Sequence, residues 1–312
     1  MWRVLSRFGR PHVLGAAAAA AGAGAVGLIA LADPTTSQPC TTNLLHLLTG
    51  GFTSAAEAKA ADAAPAFIVV SPTFYGNKDD PRFALGIEAC RRAKTQGIPL
   101  LLVDASPPEI RKALEEAGAE VCVQTRAGRK GAALREAIGL ARARLPSDGV
   151  ICFQELEKVE MIALQREVAH YVASSGCDVC VPRREDCLFR RSYPVEQYHS
   201  EQFANLYLDA LGSLIGLPSL DWTFGPVALR ASAATFWEEC DGELWDAQIV
   251  PFIRAAMWGS ARVEALQVHY THPAAMKREE EFVPIWSEKR LLQLNFLFKH
   301  VAGALKETAP PS

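Results

Sequence analysis

The chain has no excess of basic charge: its 312 residues carry 32 Lys and Arg against 35 Asp and Glu, a formal net charge of −3. A protein that tracks nucleic acid carries a basic footprint, so this balance argues against nucleic-acid binding. It also lacks a disulfide framework. The eight cysteines, at 40, 90, 122, 152, 177, 180, 187 and 240, lie mostly in apolar runs, as buried thiols do. Cys177 and Cys180 form a Cys-x-x-Cys, but in what reads as a strand from Cys177 to Val181. Side chains alternate along a strand, so positions three apart face opposite ways. Core cysteines are expected there rather than metal ligands. A Gly-x-Ser-x-Gly elbow and a phosphate-binding P-loop are missing too, which removes two common hydrolase and NTPase signatures.

Acidic residues are absent before Asp33, where Arg3, Arg7 and Arg10 precede twenty uncharged residues from Val13 to Ala32. That length could span a bilayer, although large aliphatics are few: Val13, Leu14, Val26, Leu28, Ile29 and Leu31. Ala30-Leu31-Ala32 fits a small-residue cleavage site, and an acid-poor, Arg-containing start fits an organellar transit segment. Residues 1–32 are therefore expected to be a membrane anchor of the ER/Golgi single-pass type or a targeting segment. Residues 33–66, rich in Ala, Thr, Ser and Pro, read as a stem or linker.

The chain beyond residue 66 reads as a globular core, consistent with 49% hydrophobic and 21% charged residues over the whole sequence. Phe67–Val70 is a short strand-like run that breaks at Ser71-Pro72-Thr73-Phe74-Tyr75-Gly76. Asp80-Pro81 signals a helix start and Gly97 its stop. A second strand, Ile98–Val103, closes at Asp104-Ala105-Ser106, and Ser106-Pro107-Pro108-Glu109 has the form of a capping box. A third strand, Glu120–Gln124, leads through Arg126, Arg129 and Lys130 to a helix opened by Gly131. Strand alternating with helix predicts an α/β fold with an open, mostly parallel sheet flanked by helices.

The fourth strand, Val150-Ile151-Cys152-Phe153, ends in Gln154-Glu155-Leu156-Glu157-Lys158. Ligands of open α/β sheets bind beyond the carboxyl ends of the strands, where Glu155 and Glu157 emerge. Paired carboxylates repel unless a cation or proton sits between them, and Mg²⁺ takes one or two carboxylates plus phosphate oxygens. The plainer alternative is a solvated corner, with Glu157 and Glu160 enriching a helix's first turn.

Ser71-Pro72-Thr73-Phe74, then Asp104 with Ser106, then Arg129-Lys130-Gly131-Ala132-Ala133-Leu134-Arg135 resemble the opening of GT-A glycosyltransferases, the nucleotide-diphospho-sugar transferases. The third piece is similar to the basic-Gly loop of family-2-like enzymes such as dolichyl-phosphate mannose synthases. Glu155-Leu156-Glu157 stands where that family has Asp-x-Asp. Asp221-Trp222-Thr223-Phe224-Gly225-Pro226 resembles the acceptor-side segment, and Trp245-Asp246 the acidic pair at a helix start, with Trp245 in the place of Glu. Val268-His269-Tyr270-Thr271-His272 is similar to the closing strand that sometimes supplies a metal-binding His. The resemblance covers residues 67–275.

It implies transfer of a sugar from a nucleoside diphosphate donor to a hydroxyl acceptor, assisted by Mn²⁺ or Mg²⁺. Ser71, Pro72, Thr73 and Asp104 would hold the nucleotide and Arg129 and Lys130 the diphosphate. Glu155, Glu157 and His272 would bind metal, and Asp221, Trp222 and Gly225 would line the acceptor side. Asp246 would be the base of an inverting reaction. The Glu-x-Glu departure keeps a catalytically silent GT-A fold, a binding or scaffolding protein, as the alternative. A sugar nucleotidyltransferase is a further one, although its Gly-rich, Arg-containing loop after the first strand is missing.

The rest of the chain offers fewer signals. Arg183, Arg184, Arg190 and Arg191 surround Glu185-Asp186 and read as an exposed charged loop, or as a guide for an anionic acceptor. Phe203, Leu206, Tyr207, Ala210, Leu211 and Leu214 repeat at helical spacing. The transferase domain is expected over 67–285, and 286–312 as an amphipathic helix and tail. Leu291, Leu294, Phe298, Val301 and Leu305 form that helix's stripe, which docks on the domain or lies on a membrane.

Overall fold

Apolar runs separated by helix signals become the strands of one sheet in the computed structural model, which describes residues 64–125 and 130–307. The parallel half is β1 (Phe67–Thr73), β2 (Leu100–Asp104), β3 (Glu120–Val123) and β4 (Val150–Phe153). Beyond β4 come β5 (Val179–Arg184), β6 (Val227–Arg230) and β7 (Val263–Val268). The order across the sheet is β3-β2-β1-β4-β6-β5-β7. Only β6 runs antiparallel to its neighbours, β4 and β5, while β5 and β7 are parallel. The α/β expectation, with a mostly parallel sheet flanked by helices, holds.

Period-2 alternation sends neighbouring strand residues to opposite faces, and each face is covered by helices. Val69, Leu100, Leu102 and Cys152 pack with Ile110, Leu114, Ile162 and Val168 on one face. Val70, Leu101, Val103, Ile151 and Phe153 pack with Leu134, Ile138, Leu208 and Ile253 on the other. The covering helices on the first face are α1 (Pro81–Gln96), α2 (Pro108–Ala117) and α4 (Val159–Ser175). On the second are α3 (Lys130–Arg142) and later helices. Asp80 caps α1 as its sequence predicts, accepting from Arg82 N at 3.0 Å, and Gly97 ends that helix in the left-handed region. The capping box at Ser106 does not form: α2 starts on Pro107 with no side-chain cap.

Cys177 and Cys180 are buried free thiols, as expected from their apolar setting. They nevertheless share one core cluster, because β5 starts only at Val179 and strand alternation does not extend back to Cys177.

Two further helices depart from their expected faces, the one carrying Phe203 at most positions of its stripe and the one carrying Leu291 at that residue alone. In α6 (Val195–Gly212, after the short α5, Asp186–Ser192) the buried residues are Glu201, Ala204, Asn205, Leu208 and Gly212. Phe203, Leu206, Tyr207 and Leu214 are exposed instead. The reason is Arg184, whose buried charge needs polar partners and draws the Glu201/Asn205 face inward. The closing helices are α7 (Thr235–Glu238), α8 (Asp246–Trp258), α9 (Ala274–Glu280) and α10 (Pro284–Ala304). α10 docks through Leu294, Leu297 and Val301, while Leu291 points outward at 66% exposure. Arg290 turns the helix, pairing with Glu196 at 2.6 Å and Glu280 at 2.9 Å.

Among the described residues no helix is long and apolar enough to cross a membrane. The anchor or targeting segment of residues 1–32 and the stem lie outside the described residues, apart from the stem's last three positions.

Candidate functional site

The C-terminal edge of the parallel strands gathers most of the candidate site residues. β4 stops at Phe153 because Gln154 is fixed from two directions: Gln165 Nε2 donates to its Oε1 at 2.6 Å, and its own Nε2 donates to Lys158 O at 3.2 Å. Lys158 N donates to Glu155 O at 3.0 Å, which closes the turn. Leu156 is fully buried and pins the turn between the two carboxylates.

Glu155 is the hub. Its Oε1 accepts from Lys130 Nζ and from Gln248 Nε2, both at 3.2 Å. Its Oε2 lies 3.2 Å from Lys158 Nζ as an ion pair without hydrogen-bond alignment. All three charged side chains are about four-fifths buried. Burial alone would raise the Glu155 pKa, but Lys158 and then Lys130 outweigh it and bring the carboxyl to about 2. Burial likewise works against the Lys158 charge, and Glu155 overcomes it, so the ammonium is held protonated. Two of these partners, Lys158 and Gln248, were not singled out from sequence. Lys158 stands next to Glu157 and carried a signal. Gln248 comes from α8, more than ninety residues away, and carried none.

Gly225 closes the remaining side of Glu155. It has φ +101°, and a Cβ there would sit 2.7 Å from Glu155 Oε2. The Gly of the acceptor-side segment therefore touches the acidic turn itself. Gly225→Ala is expected to destabilise the protein by more than about 1 kcal/mol through backbone strain and this clash. That is a fall in melting temperature of at least about 2–4 °C; an unchanged melting temperature would refute the packing described. Gly131 plays a related part at the start of α3. Its N donates to Glu243 O at 3.0 Å, and a Cβ would overlap Gly242 O. The contact ties Lys130 to the segment leading into α8.

Ser71, Thr73 and Asp104 are placed at the same edge but inside it. Asp104 is fully buried, and its carboxylate is taken by Thr73 Oγ1 (2.6 Å), Ser106 N (2.8 Å) and Ser106 Oγ (2.9 Å). Ser106 Oγ in turn accepts from Tyr75 N at 2.8 Å, which is why it is not free to cap α2. Asp104 thus locks the loops after β1 and β2 together and is closed to a nucleotide as it stands. Ser71 is fully buried, with no hydrogen bond to its Oγ, whereas Pro72 is half-buried. Arg129 lies outside the described residues.

Asp221 and Trp222, expected on the acceptor side, are both buried with their polar groups already engaged. Asp221 is buried against Arg184, whose Nε and Nη2 each donate at 2.7 Å. Trp222 is buried on Phe252, with its Nε1 donating to Asp209 at 2.7 Å. Arg184 is buried rather than part of an exposed loop, its guanidinium 3.5 Å over the Phe189 ring. A fixed guanidinium in the core needs a carboxylate with matching geometry, and Asp221 is that partner.

Asp246 opens α8, two residues before Gln248. Its Oδ1 accepts from Leu244 N at 2.8 Å, and its Oδ2 lies 3.9 Å from His300 Nε2. His300 comes from α10, which the sequence marks only as a helix that docks on the domain or lies on a membrane. His269 is exposed and pairs with Glu185 at 2.5 Å. His272 stacks on Tyr193 with ring centroids 4.4 Å apart, and its buried Nε2 has no hydrogen-bond partner. Burial first, then Lys158 and Arg184, push its pKa down to about 3, so the ring is neutral.

For Mn²⁺ or Mg²⁺, the described residues offer no group of three His, Cys, Asp or Glu donors. They offer Glu157, half-buried and without a hydrogen bond or ion pair among the described residues, and the bare Nε2 of His272. One free carboxylate fits a cation that arrives with a diphosphate, since Mg²⁺ is commonly held by one or two carboxylates plus phosphate oxygens.

No protein-family model and no curated protein matches the chain. Solved structures do. The crystal structure of M. tuberculosis glucosyl-3-phosphoglycerate synthase is 16% identical with a TM-score of 0.52, covering 84% of this chain and 87% of that one. The chain has a GT-A fold. Two other structures of the Mycobacterium tuberculosis synthase are also similar. One, in complex with Mn²⁺, UDP and phosphoglyceric acid, is 14% identical with a TM-score of 0.47, covering 85% and 86% of the two chains. The other, with Mg²⁺ and UDP, is 15% identical with a TM-score of 0.44 and covers 85% and 86%. At these identities the likeness concerns the GT-A fold, and the side chains of the site carry the chemistry.

Proposed function

We propose that this GT-A chain is a nucleotide-sugar-dependent glycosyltransferase that moves a sugar from a nucleoside diphosphate to a hydroxyl acceptor. The observation that carries the reading is the meeting of Lys130, Glu155 and the first turn of α8 at the C-terminal edge of the parallel strands. Lys130, with Arg129 before it, would neutralise the diphosphate. The end of β1 at Ser71, Pro72 and Thr73 would flank the nucleotide, and Asp104 at the end of β2 would hold it through Thr73. Glu157 and His272 would hold the divalent cation, which when bound neutralises charge on the leaving diphosphate. Asp246 would take the acceptor's proton in an inverting transfer. An acid-free start with three arginines and an Ala/Gly-rich run also supports a membrane tether or organellar targeting.

A ligand that favours the native state raises the melting temperature, by about 2.7 kcal/mol of stabilisation at a hundredfold excess over Kd. A panel of nucleotide sugars, with and without Mn²⁺, is expected to contain one that stabilises the protein, more so with the ion, and that is then consumed. No stabilisation by any member would overturn the reading. The enclosure of Glu155 and Asp104 favours, as a second reading, a silent GT-A fold, for which a nucleoside diphosphate binds and no sugar is transferred.

A further inference from the structure

We propose that Lys158 and Lys130 form a paired diphosphate-binding site, and that Glu155 holds this pair in place rather than serving as a metal ligand. The inference rests on the glycosyltransferase reading and names the groups that meet the donor's charge. Both oxygens of Glu155 are already engaged: Oε1 by Lys130 and Gln248, Oε2 by Lys158 with the Gly225 backbone packed against it. A metal would have to displace two ammonium groups and bring its own charge beside them. Like charges at such separations disfavour one another.

On the side of the lysines donor capacity is left over. An ammonium has three donors. Among the described residues each lysine pairs with one acceptor residue, Glu155. Lys158 also stands 5.7 Å over the Phe224 ring, a contact that uses none of its hydrogen-bond donors. A purely structural ion pair needs one cation for one carboxylate; here two mostly buried cations share one. Glu157, the nearby second carboxylate, acts on Lys158 through its field but makes no ion pair with either lysine among the described residues. A ligand with two adjacent anionic groups matches two ammoniums held on either side of one carboxylate. A diphosphate is such a ligand, and lysine serves it as a point charge. The position suits donor chemistry, since Lys130 starts the helix after β3 and Lys158 ends the turn after β4, on the edge where ligands of such sheets bind.

The test is calorimetric titration of the full chain with UDP and with inorganic pyrophosphate, in EDTA and in Mn²⁺. Lys158→Gln removes a charged hydrogen bond and is expected to weaken both ligands about 10–100-fold in either condition. Lys158→Arg is expected to keep binding within a few-fold of wild type. Glu155→Gln, which frees the lysines, is expected to bind in EDTA at least as tightly as wild type. Equal affinity of wild type and Lys158→Gln overturns the inference while leaving the transferase reading intact. Pyrophosphate binding that depends on Lys158, with no nucleoside diphosphate bound, keeps the lysine pair and removes the transferase reading. A wild type that binds neither ligand removes both. If Lys158→Gln does not fold, salt decides: wild-type affinity for pyrophosphate in EDTA must fall as ionic strength rises, and a salt-independent affinity overturns the proposal.

Discussion

Asp221→Asn should lower the melting temperature by about 6–20 °C. Arg184 is buried with aromatic rings on three sides, Phe189, Tyr193 and Phe224. Its guanidinium reaches Asp221 twice and Glu201 once, and its backbone N also donates to Asp221 at 3.1 Å. Asn205 Nδ2 fills the other side of that carboxylate at 2.8 Å. Removing one partner of a buried pair costs about 3–5 kcal/mol, and Glu201, the carboxylate that remains, meets only one nitrogen of the guanidinium. For a domain of this size each kcal/mol is worth about 2–4 °C. Asn keeps the shape, so a melting temperature within a degree of wild type would mean that the charge is dispensable.

The same pair sets a pH dependence. Burial alone would raise the Asp221 pKa, and Arg184 outweighs it, so the carboxyl titrates below its ordinary value. A depressed folded pKa contributes stability that is present above the unfolded pKa, about 3.9 for Asp, and is lost as pH falls toward the folded one. The gap between wild type and Asp221→Asn is therefore expected to be full at neutral pH and to shrink below about pH 4. A gap that widens in acid would contradict the assignment.

The second large effect concerns rate. Asp246→Asn is expected to reduce sugar transfer by about 10²–10⁴, the usual cost of losing a positioned base. Donor binding should be nearly unchanged, because Glu155 meets α8 through Gln248 and not through Asp246. The fold should persist too: Asn retains an oxygen to accept from Leu244 N, the bond Asp246 makes at 2.8 Å. What Asn cannot do is accept a proton. Measuring donor affinity and turnover on the same preparation separates the roles. Unchanged turnover would leave Asp246 as a fold residue that orders the segment before α8, and would remove the inverting base.

The sequence determined the parallel half of the sheet and the position of the acidic turn. Continuous apolar runs such as Leu100–Val103 and Val150–Phe153 can be buried on both faces only in a sheet covered by helices. The turn signals around them, Asp80-Pro81 and Gly97 among them, act over a few residues and are legible without tertiary context. Glu155, Glu157, Lys130 and Gly225 were legible as a set for the same reason, each marking a strand end, a helix start or a turn. Tertiary structure decided which charges face the ligand edge and which face inward. Arg184 and Arg183 are neighbours in the same basic run, yet one is buried on Asp221 and the other is exposed. The stripe from Phe203 to Leu214 has the spacing of a buried helix face, yet Phe203, Leu206, Tyr207 and Leu214 are turned out because Glu201 is needed at Arg184 and Asn205 at its partner Asp221. Local pattern records hydrophobicity alone, whereas a buried charge fixes the orientation of every element that must supply its partners. Lys158 and Gln248 acquire their meaning in the same way. Each lies near a residue that the sequence marks, Glu157 and Asp246, but only β4 and α8 bring the two to one carboxylate.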